Sequence, residues 1–512
     1  MRIAALDLGT NSFHLLAVDA HADGSFVPLL KEKEMLRLGE WLVREGRLPD
    51  ALADEAVETA HRLCSLAASA GCEEILMCAT SALREAENGS EVVQRIEDAT
   101  GLAVRVINGR DEARLTFAAV RASISLPPRP VVCFDLGGGS LEVMVGDGAG
   151  LVWSTSVKLG VGRLSAELVR NDPPTKGDRR RLRDRIRDVL GPVADAVADF
   201  EPEMAIGSSG TFCALARMIG AARAGGTAPL SVNQFTVSRA ELSALDEQVF
   251  ALDADGRRRL PGLEARRVDL IPAGAAIAVE ATKLFSFASL TVSEWALREG
   301  MVLEAIGRHD VVEWSGDPGP MRRAAVEGLA RRCQWNEGHA RQVAALAAEL
   351  FDQTRPLHGL TTGDRELLEC AGLLHDIGEH VSAIAHHKHT AYLIQHGRLR
   401  GFSPDEVLVL AALARYHRNS EPKPAHEPFG SLSPIDQERV TKLASILRLA
   451  DGLDRGHCGA VEDLVVDVTS DSVRLTLEGR SDVDLELWGA RRKRALFERL
   501  FGRRVDVVTR QP

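Results

Sequence analysis

At 512 residues the chain is long enough for three or four domains, each with a core of its own. Its 45% apolar and 26% charged residues are ordinary for a soluble globular protein, and no stretch is long and uncharged enough to span a bilayer. A net charge of −11 disfavours nucleic-acid binding by the surface as a whole, yet leaves room for a local basic cleft that takes an anionic substrate. Eight cysteines without paired metal-ligand spacing, and an N-terminus that runs straight into a strand, lead to the expectation of reduced thiols in a cytoplasmic protein.

The first predicted element is a strand, a tight turn and a returning strand over residues 3–18, IAALDLGTNSFHLLAV. An amphipathic helix over 53–70 stops at Gly71, an apolar strand follows at 75–80, and a second helix covers 89–100. Strand 103–107 leads through the turn NGRD into the helix EARLTFAAV. After Pro127, Pro128 and Pro130, residues 131–146, VVCFDLGGGSLEVMVG, closely repeat the opening segment. Strands to about 158, a charged helix at 176–190, a strand at 203–207 and the helix GTFCALARMIG follow. The basic run 176–187 is interrupted by Asp178 and Asp184 and reads as a solvated helix face. Two similar α/β halves facing a cleft give the actin-like, sugar-kinase-like arrangement as the simplest architecture, with phosphates between the lobes.

Near residue 308 the character changes to polar, Gly/Pro-bearing linker material, GRHDVVEWSGDPGP. Ala/Leu-rich amphipathic helices are predicted beyond it at 338–354, 364–377, 404–418 and 434–451. Alternating strands (VEDLVVDV, SVRLTLEG, RVDVV) and one basic helix, GARRKRALFERLF, close the chain. The expected domains are a first lobe at 1–125, a second at 126–307, an all-α domain at 318–458 and a small α/β domain at 459–512.

The twin Asp-Leu-Gly turns carry the first chemical signal. Gly9 and Gly137, Gly138 and Gly139 are expected to adopt backbone angles closed to other residues, and to leave main-chain N–H groups open to an anion. Asp7 and Asp135, at the strand ends, suit a magnesium-bound phosphate better than a bare one. Glu112 sits in the first turn of the helix after NGRD, where a carboxylate lies close to the N-terminus that also attracts phosphate oxygens. By position alone it is an ordinary helix-start acid.

Six segments in order, DLGTNSFH, TSALR, NGRDEARL, DLGGGSLE, GSSGT and RRVDLIPAG, resemble the exopolyphosphatase and guanosine-pentaphosphate phosphohydrolase (Ppx/GppA) family over residues 3 to about 306. HARQVAALAAELFD, LLHDIG, HHKHTAYLI and RYHR are similar to the C-terminal extension of its long members. The resemblance implies an α/β, actin-like, ribonuclease-H-like two-lobe fold followed by an HD-like helical domain. It implies Glu112 as catalytic base, and Asp135 and Glu142, beside Asp7, as magnesium holders. Thr10, Asn11 and Ser12 match the first phosphate loop, Gly137 to Ser140 the second, and Gly207, Ser208, Ser209, Gly210 and Thr211 the third. Arg84 and Arg267 match phosphate-contacting arginines, and a homodimer is implied.

His339, the pair His375-Asp376, and Asp451 follow the H…HD…D order of HD-type metal phosphohydrolases. They make a candidate set for a second divalent metal, with His386, His387, His389 and His417 as further candidates. The alternative is a structural remnant that holds no metal. The expected activity is magnesium-dependent hydrolysis of a terminal phosphate from inorganic polyphosphate, with guanosine pentaphosphate as the alternative substrate. A nucleotide-sensing regulator with weak catalysis is the other reading.

Overall fold

The computed structural model describes residues 1–21, 26–309, 319–418, 420–480 and 482–509, so most of the expected linker lies outside the described residues. It divides into two compact units, Met1–Met321 and Arg322–Pro512. No helix among the described residues is long and apolar enough to cross a membrane.

The N-terminal unit builds two sheets on one plan. Strands β1 (Arg2–Leu8), β2 (Ser12–Ala20), β3 (Phe26–Met35), β4 (Glu74–Ala79) and β5 (Val104–Val106) form the first, in the order β3-β2-β1-β4-β5. Strands β6 (Val131–Leu136), β7 (Leu141–Asp147), β8 (Gly150–Val157), β9 (Met204–Ser208), β10 (Thr236–Ser238) and β11 (Ser289–Val292) form the second, ordered β10-β11-β9-β6-β7-β8. In each, the Asp-Leu-Gly strand pairs antiparallel with the strand it turns into and parallel with a later one. The repeat therefore does form two hairpins, each opening a mixed sheet. β3 was not expected: FVPLLKEKEM is a charged, partly exposed edge strand whose apolar alternation is weak.

Strand parity explains where the site lies. On β1, Ala4, Leu6 and Leu8 enter one core cluster, whereas Ile3 and Ala5 enter another shared with Leu115, Ala119 and Ala122. On β6, Val132, Phe134 and Leu136 enter one cluster, and Val131 and Cys133 enter another shared with Ala113, Phe117 and Val120. Successive side chains alternate across a sheet, so Asp7 and Asp135 belong to the faces covered by the same helix, Gly109–Ser123. That helix is wedged between the two sheets and carries Glu112 in its first turn.

One boundary differs from expectation. The helix Leu297–His309 was assigned to the second lobe, but its Met301, Val302, Ala305 and Ile306 share a core with Ile3 and Ala5 of the first. After β11 the chain has thus crossed back.

In the C-terminal unit, helices Glu337–Gln353, Thr362–Leu374, Pro404–Tyr416 and Pro434–Gly452 match the predicted periodicity within three residues at each end. His386–His396, read only as a histidine cluster, is also helical. The tail strands β12 (Val461–Val468), β13 (Ser472–Gly479) and β14 (Arg504–Thr509) form one sheet. They were expected as a separate small domain. Val473, Leu475, Leu477, Val505 and Val507 instead complete the core of the helices, because a three-stranded sheet has one apolar face to cover.

Candidate active site

The two Asp-Leu-Gly turns meet across the lobes of the N-terminal unit, at the carboxyl ends of the parallel strands, where open α/β sheets bind ligands. The reason for glycine there is proximity rather than backbone angle. None of Gly9, Gly137, Gly138 or Gly139 has a positive φ, which corrects the sequence expectation. A Cβ on Gly138 would stand 2.6 Å from Asn11 Cγ, and one on Gly139 2.5 Å from Ser81 Oγ. Beside the turns, Arg163 Nη2 donates to Glu85 Oε2 at 2.9 Å and Arg163 Nε to the Gly139 carbonyl at 3.2 Å, tying the lobes together.

The resulting cleft holds about 160 Å³ and carries groups of both signs. Asp7, Asp135 and Glu112 are its carboxylates. Asp135 Oδ2 accepts from the Thr116 hydroxyl at 3.0 Å, but Asp7 Oδ1 and Glu112 Oε2 are buried with no hydrogen-bond partner among the described residues. Burial pushes the Asp7 carboxyl up to about 7, opposed by Arg298 and reinforced by Asp135. Burial pushes Asp135 up to about 6 against the Thr116 hydrogen bond. Glu112 is held well above the usual range by burial, then by the charges of Glu142, Asp135 and Asp7. Arg298 near Asp7 and Arg84 beside Glu112 offset only part of this, which leaves the carboxylates short of positive charge.

The cations have the complementary need. Lys33, Arg266, Arg267 and Arg298 line the same cleft, together with His14. Lys33 is brought down to about 7 by burial and by the neighbouring charges of Arg267 and Arg266. Neither Lys33 nor Arg298 has an ion pair among the described residues. A wall of crowded cations within reach of main-chain N–H groups suits a polyanion.

Most residues expected at the site line this cleft: Asp7, Thr10, Asn11, Ser12, Glu112, Asp135, Gly137 to Ser140, Ser209, Gly210, Thr211 and Arg267. Gly210 is required beside Arg267, whose guanidinium occupies the space a Cβ would fill. Four expected residues stand elsewhere. Gly207 lies within β9, where a Cβ would press on the Phe212 ring, and Ser208 ends that strand with its hydroxyl donating to the Trp295 carbonyl at 2.9 Å; both serve packing. Arg84 lies beside Glu112: it donates to the Ile107 carbonyl at 2.5 Å and stands 3.6 Å from Glu112 Oε2. Glu142 is buried opposite Asp135 on β7 and accepts from the Ser156 hydroxyl at 2.7 Å.

Sequence reasoning missed Lys33 and Arg298. Lys33 pairs across from His14 on β3, so it becomes visible only once β3 is recognised as the next strand of the hairpin. Arg298 follows the unexpected crossing back to the first lobe.

The third loop carries local strain. Ser209 has φ 98° and ψ 164°, a region that in practice belongs to glycine, and its hydroxyl caps the following helix at Thr211 N, 3.2 Å away. Ser209→Gly relieves about 1–3 kcal/mol of strain and sacrifices a few tenths of a kcal/mol of cap. Its urea-unfolding midpoint is expected to rise; a lower midpoint would show that the hydroxyl outweighs the strain.

In the C-terminal unit the histidines gather around Asp376. His339, His375 and Asp376 place ligand atoms within 4.8 Å of one another, and so do Asp376, His386 and His417. Asp451, expected as a ligand, is bonded to Lys493 and belongs to neither group. His387 and His389 also stay outside. Asp454, which the sequence reading passed over, accepts from His339 Nδ1 at 2.7 Å.

Comparison with known proteins agrees with this geometry. The model of the Ppx/GppA phosphatase family matches residues 17–309, and that of Ppx/GppA phosphatase domain III matches 321–487. Exopolyphosphatase 1 of Mycobacterium leprae is 35% identical over 307 residues, covering 60% of this chain and 90% of that protein. The Mycobacterium tuberculosis H37Rv protein of the same name is also 35% identical, over 60% of this chain and 88% of its own length. Among solved structures, an exopolyphosphatase from Cytophaga hutchinsonii aligns at 27% identity and TM-score 0.57 over 61% of this chain and all of that one. An Aquifex aeolicus Ppx/GppA protein aligns at 26% identity and TM-score 0.52, over 60% of this chain and 98% of that one. The actin-like two-lobe reading of the N-terminal unit is thereby supported, and the chain belongs to the Ppx/GppA phosphatase family.

Proposed function

We propose that the cleft removes terminal orthophosphate from inorganic polyphosphate by hydrolysis, with magnesium as the metal. One observation carries the reading: a single cleft is lined both by buried carboxylate oxygens without hydrogen-bond partners, at Asp7 and Glu112, and by the cations Lys33, Arg266, Arg267 and Arg298. The last phosphoryl group would lie between them, with the rest of the polyanion along Lys33, Arg266, Arg267 and Arg298. Main-chain N–H groups of the turns at Thr10–Ser12 and Gly137–Ser140 would orient its oxygens.

The carboxylates suit a hard cation, since Asp7 and Asp135 offer oxygen ligands and Asp7 Oδ1 is unpartnered. Asp7 and Asp135, with Glu142 behind Asp135, would hold magnesium, which would supply charge neutralisation at the phosphoryl oxygens. Glu112 Oε2 takes the proton of the attacking water; burial and the neighbouring carboxylates raise its pKa and so make it a stronger base than an exposed carboxylate. Water oxygen bonds to the terminal phosphorus, the bridging P–O bond breaks, and the shortened chain leaves as an anion. The Arg84 guanidinium keeps Glu112 oriented.

Phosphate release by the purified chain from long polyphosphate and from guanosine pentaphosphate, with and without magnesium, tests this. Release from polyphosphate that requires magnesium is expected. Release from guanosine pentaphosphate alone would move the substrate to that nucleotide, and release from neither would end the hydrolase reading. The family resemblance adds a cytoplasmic location and a homodimer, the latter checked by light scattering.

A further inference from the structure

The histidine cluster of the C-terminal unit plays no part in that chemistry, and its geometry has a requirement of its own. His339 Nε2 and His375 Nε2 face each other at 3.2 Å, and stand 3.7 Å and 3.4 Å from Asp376 Oδ2. His386 Nε2 and His417 Nε2 face each other at 3.3 Å, and stand 3.1 Å and 3.3 Å from Asp376 Oδ1. One carboxylate thus joins two sets, one on each oxygen.

The other nitrogen of each ring fixes which atom carries hydrogen. His375 Nδ1 donates to the Gly372 carbonyl and His417 Nδ1 to the Ala414 carbonyl, both at 2.7 Å. His386 Nδ1 donates to the Ala383 carbonyl at 3.2 Å, and His339 Nδ1 to Asp454 Oδ2 at 2.7 Å. A neutral imidazole has one N–H, so every Nε2 presents a lone pair, that of His386 also accepting from Arg418 Nη1 at 3.1 Å. Four such lone pairs and a carboxylate converge in buried surroundings, and Asp376 Oδ1 has no hydrogen bond of its own. Like-signed atoms so arranged repel unless cations lie between them. Histidines held through Nδ1 by carbonyls or a carboxylate are the usual outer support of metal ligands.

The spacing fits as well. Two ligands about 2.1 Å from one ion at a tetrahedral angle lie about 3.4 Å apart. The separations in the first set, 3.2–3.7 Å, bracket that value, and those in the second, 3.1–3.3 Å, lie just below it. We infer that the C-terminal unit holds a dinuclear centre of divalent first-row transition metals, bridged by Asp376, with His339 and His375 on one ion and His386 and His417 on the other. An imidazole-rich set favours such metals over magnesium. A cavity of about 180 Å³ is lined by His339 and Asp376 together with Trp335, Asn336 and His457. The first ion therefore has an open side for an anionic oxygen ligand, such as a phosphate ester.

The measurement is metal content of the full chain after loading with Mn²⁺ or Zn²⁺ and gel filtration, taken as the difference between wild type and Asp376→Asn. That difference cancels any ion at the N-terminal carboxylates. Two equivalents are expected, with His417→Ala losing one of them and circular dichroism confirming that the variants fold. Should Asp376→Asn fail to fold, the Mn²⁺-loaded wild type is expected to show an exchange-coupled pair by electron paramagnetic resonance. A difference of zero, or uncoupled Mn²⁺ alone, would overturn the assignment.

Discussion

Glu112→Gln is expected to lower kcat for phosphate release by about 10²–10⁴-fold with KM nearly unchanged, the range for loss of a positioned general base. The amide keeps the volume of the side chain and the helix start, including the Glu112 N–H donated to the Asn108 carbonyl at 3.0 Å. It cannot take a proton from water. The carboxylate is nonetheless costly to the fold: it is buried, lacks a hydrogen bond at Oε2, and is surrounded by Glu142, Asp135 and Asp7. Glu112→Gln should therefore be more stable than wild type as well as nearly inactive. A merely structural role predicts the reverse, with lower stability and lower activity together. The acid limb of the wild-type pH–rate profile should vanish in the variant. Retention of full activity would remove Glu112 from the chemistry and favour phosphoryl transfer to a bound acceptor instead.

The pairing of Asp7 with Asp135 was legible because local sequence dictates a hairpin: apolar strand, glycine turn, apolar strand. So were the long helices of the C-terminal unit, where burial of one face imposes a strong 3.6-residue period. Lys33 was not legible, because β3 is a charged edge strand with too little apolar alternation to announce itself. The helix Leu297–His309 was not read as an element, and its segment fell within the range expected for the second lobe although it packs on the first. Periodicity says which face is buried and nothing about which sheet it is buried against. Gly137 to Gly139 were recognised as special for a reason the backbone does not use; the close approach of Asn11 and Ser81 is tertiary information. The same holds for Asp454, which meets the His339 ring across separate segments of the chain.

The carboxylate cluster makes the second large effect one of stability. Asp7 and Glu142 are pushed up to about 7 and Asp135 to about 6, in each case chiefly by burial. Glu112 lies higher still than its ordinary value. The folded chain therefore binds protons that the unfolded chain releases, and stability falls as pH rises. The contribution is fully present below about pH 4 and is lost as pH passes about 6 to 7. For Asp7 alone, a rise of roughly three pH units corresponds to about 4 kcal/mol. The proposed magnesium would offset this loss by supplying positive charge to the ionised groups, and would bind best when they are ionised. Without magnesium, the unfolding midpoint should drop between pH 5 and pH 8. Adding the ion should raise it strongly at pH 8 and little at pH 5. Asp135→Asn should blunt both the pH dependence and the magnesium effect, because it removes one ligand and one charge together. An equal magnesium shift at both pH values would mean that the ion binds elsewhere. The groups that make the cleft unstable when bare are then those that make it a site when filled.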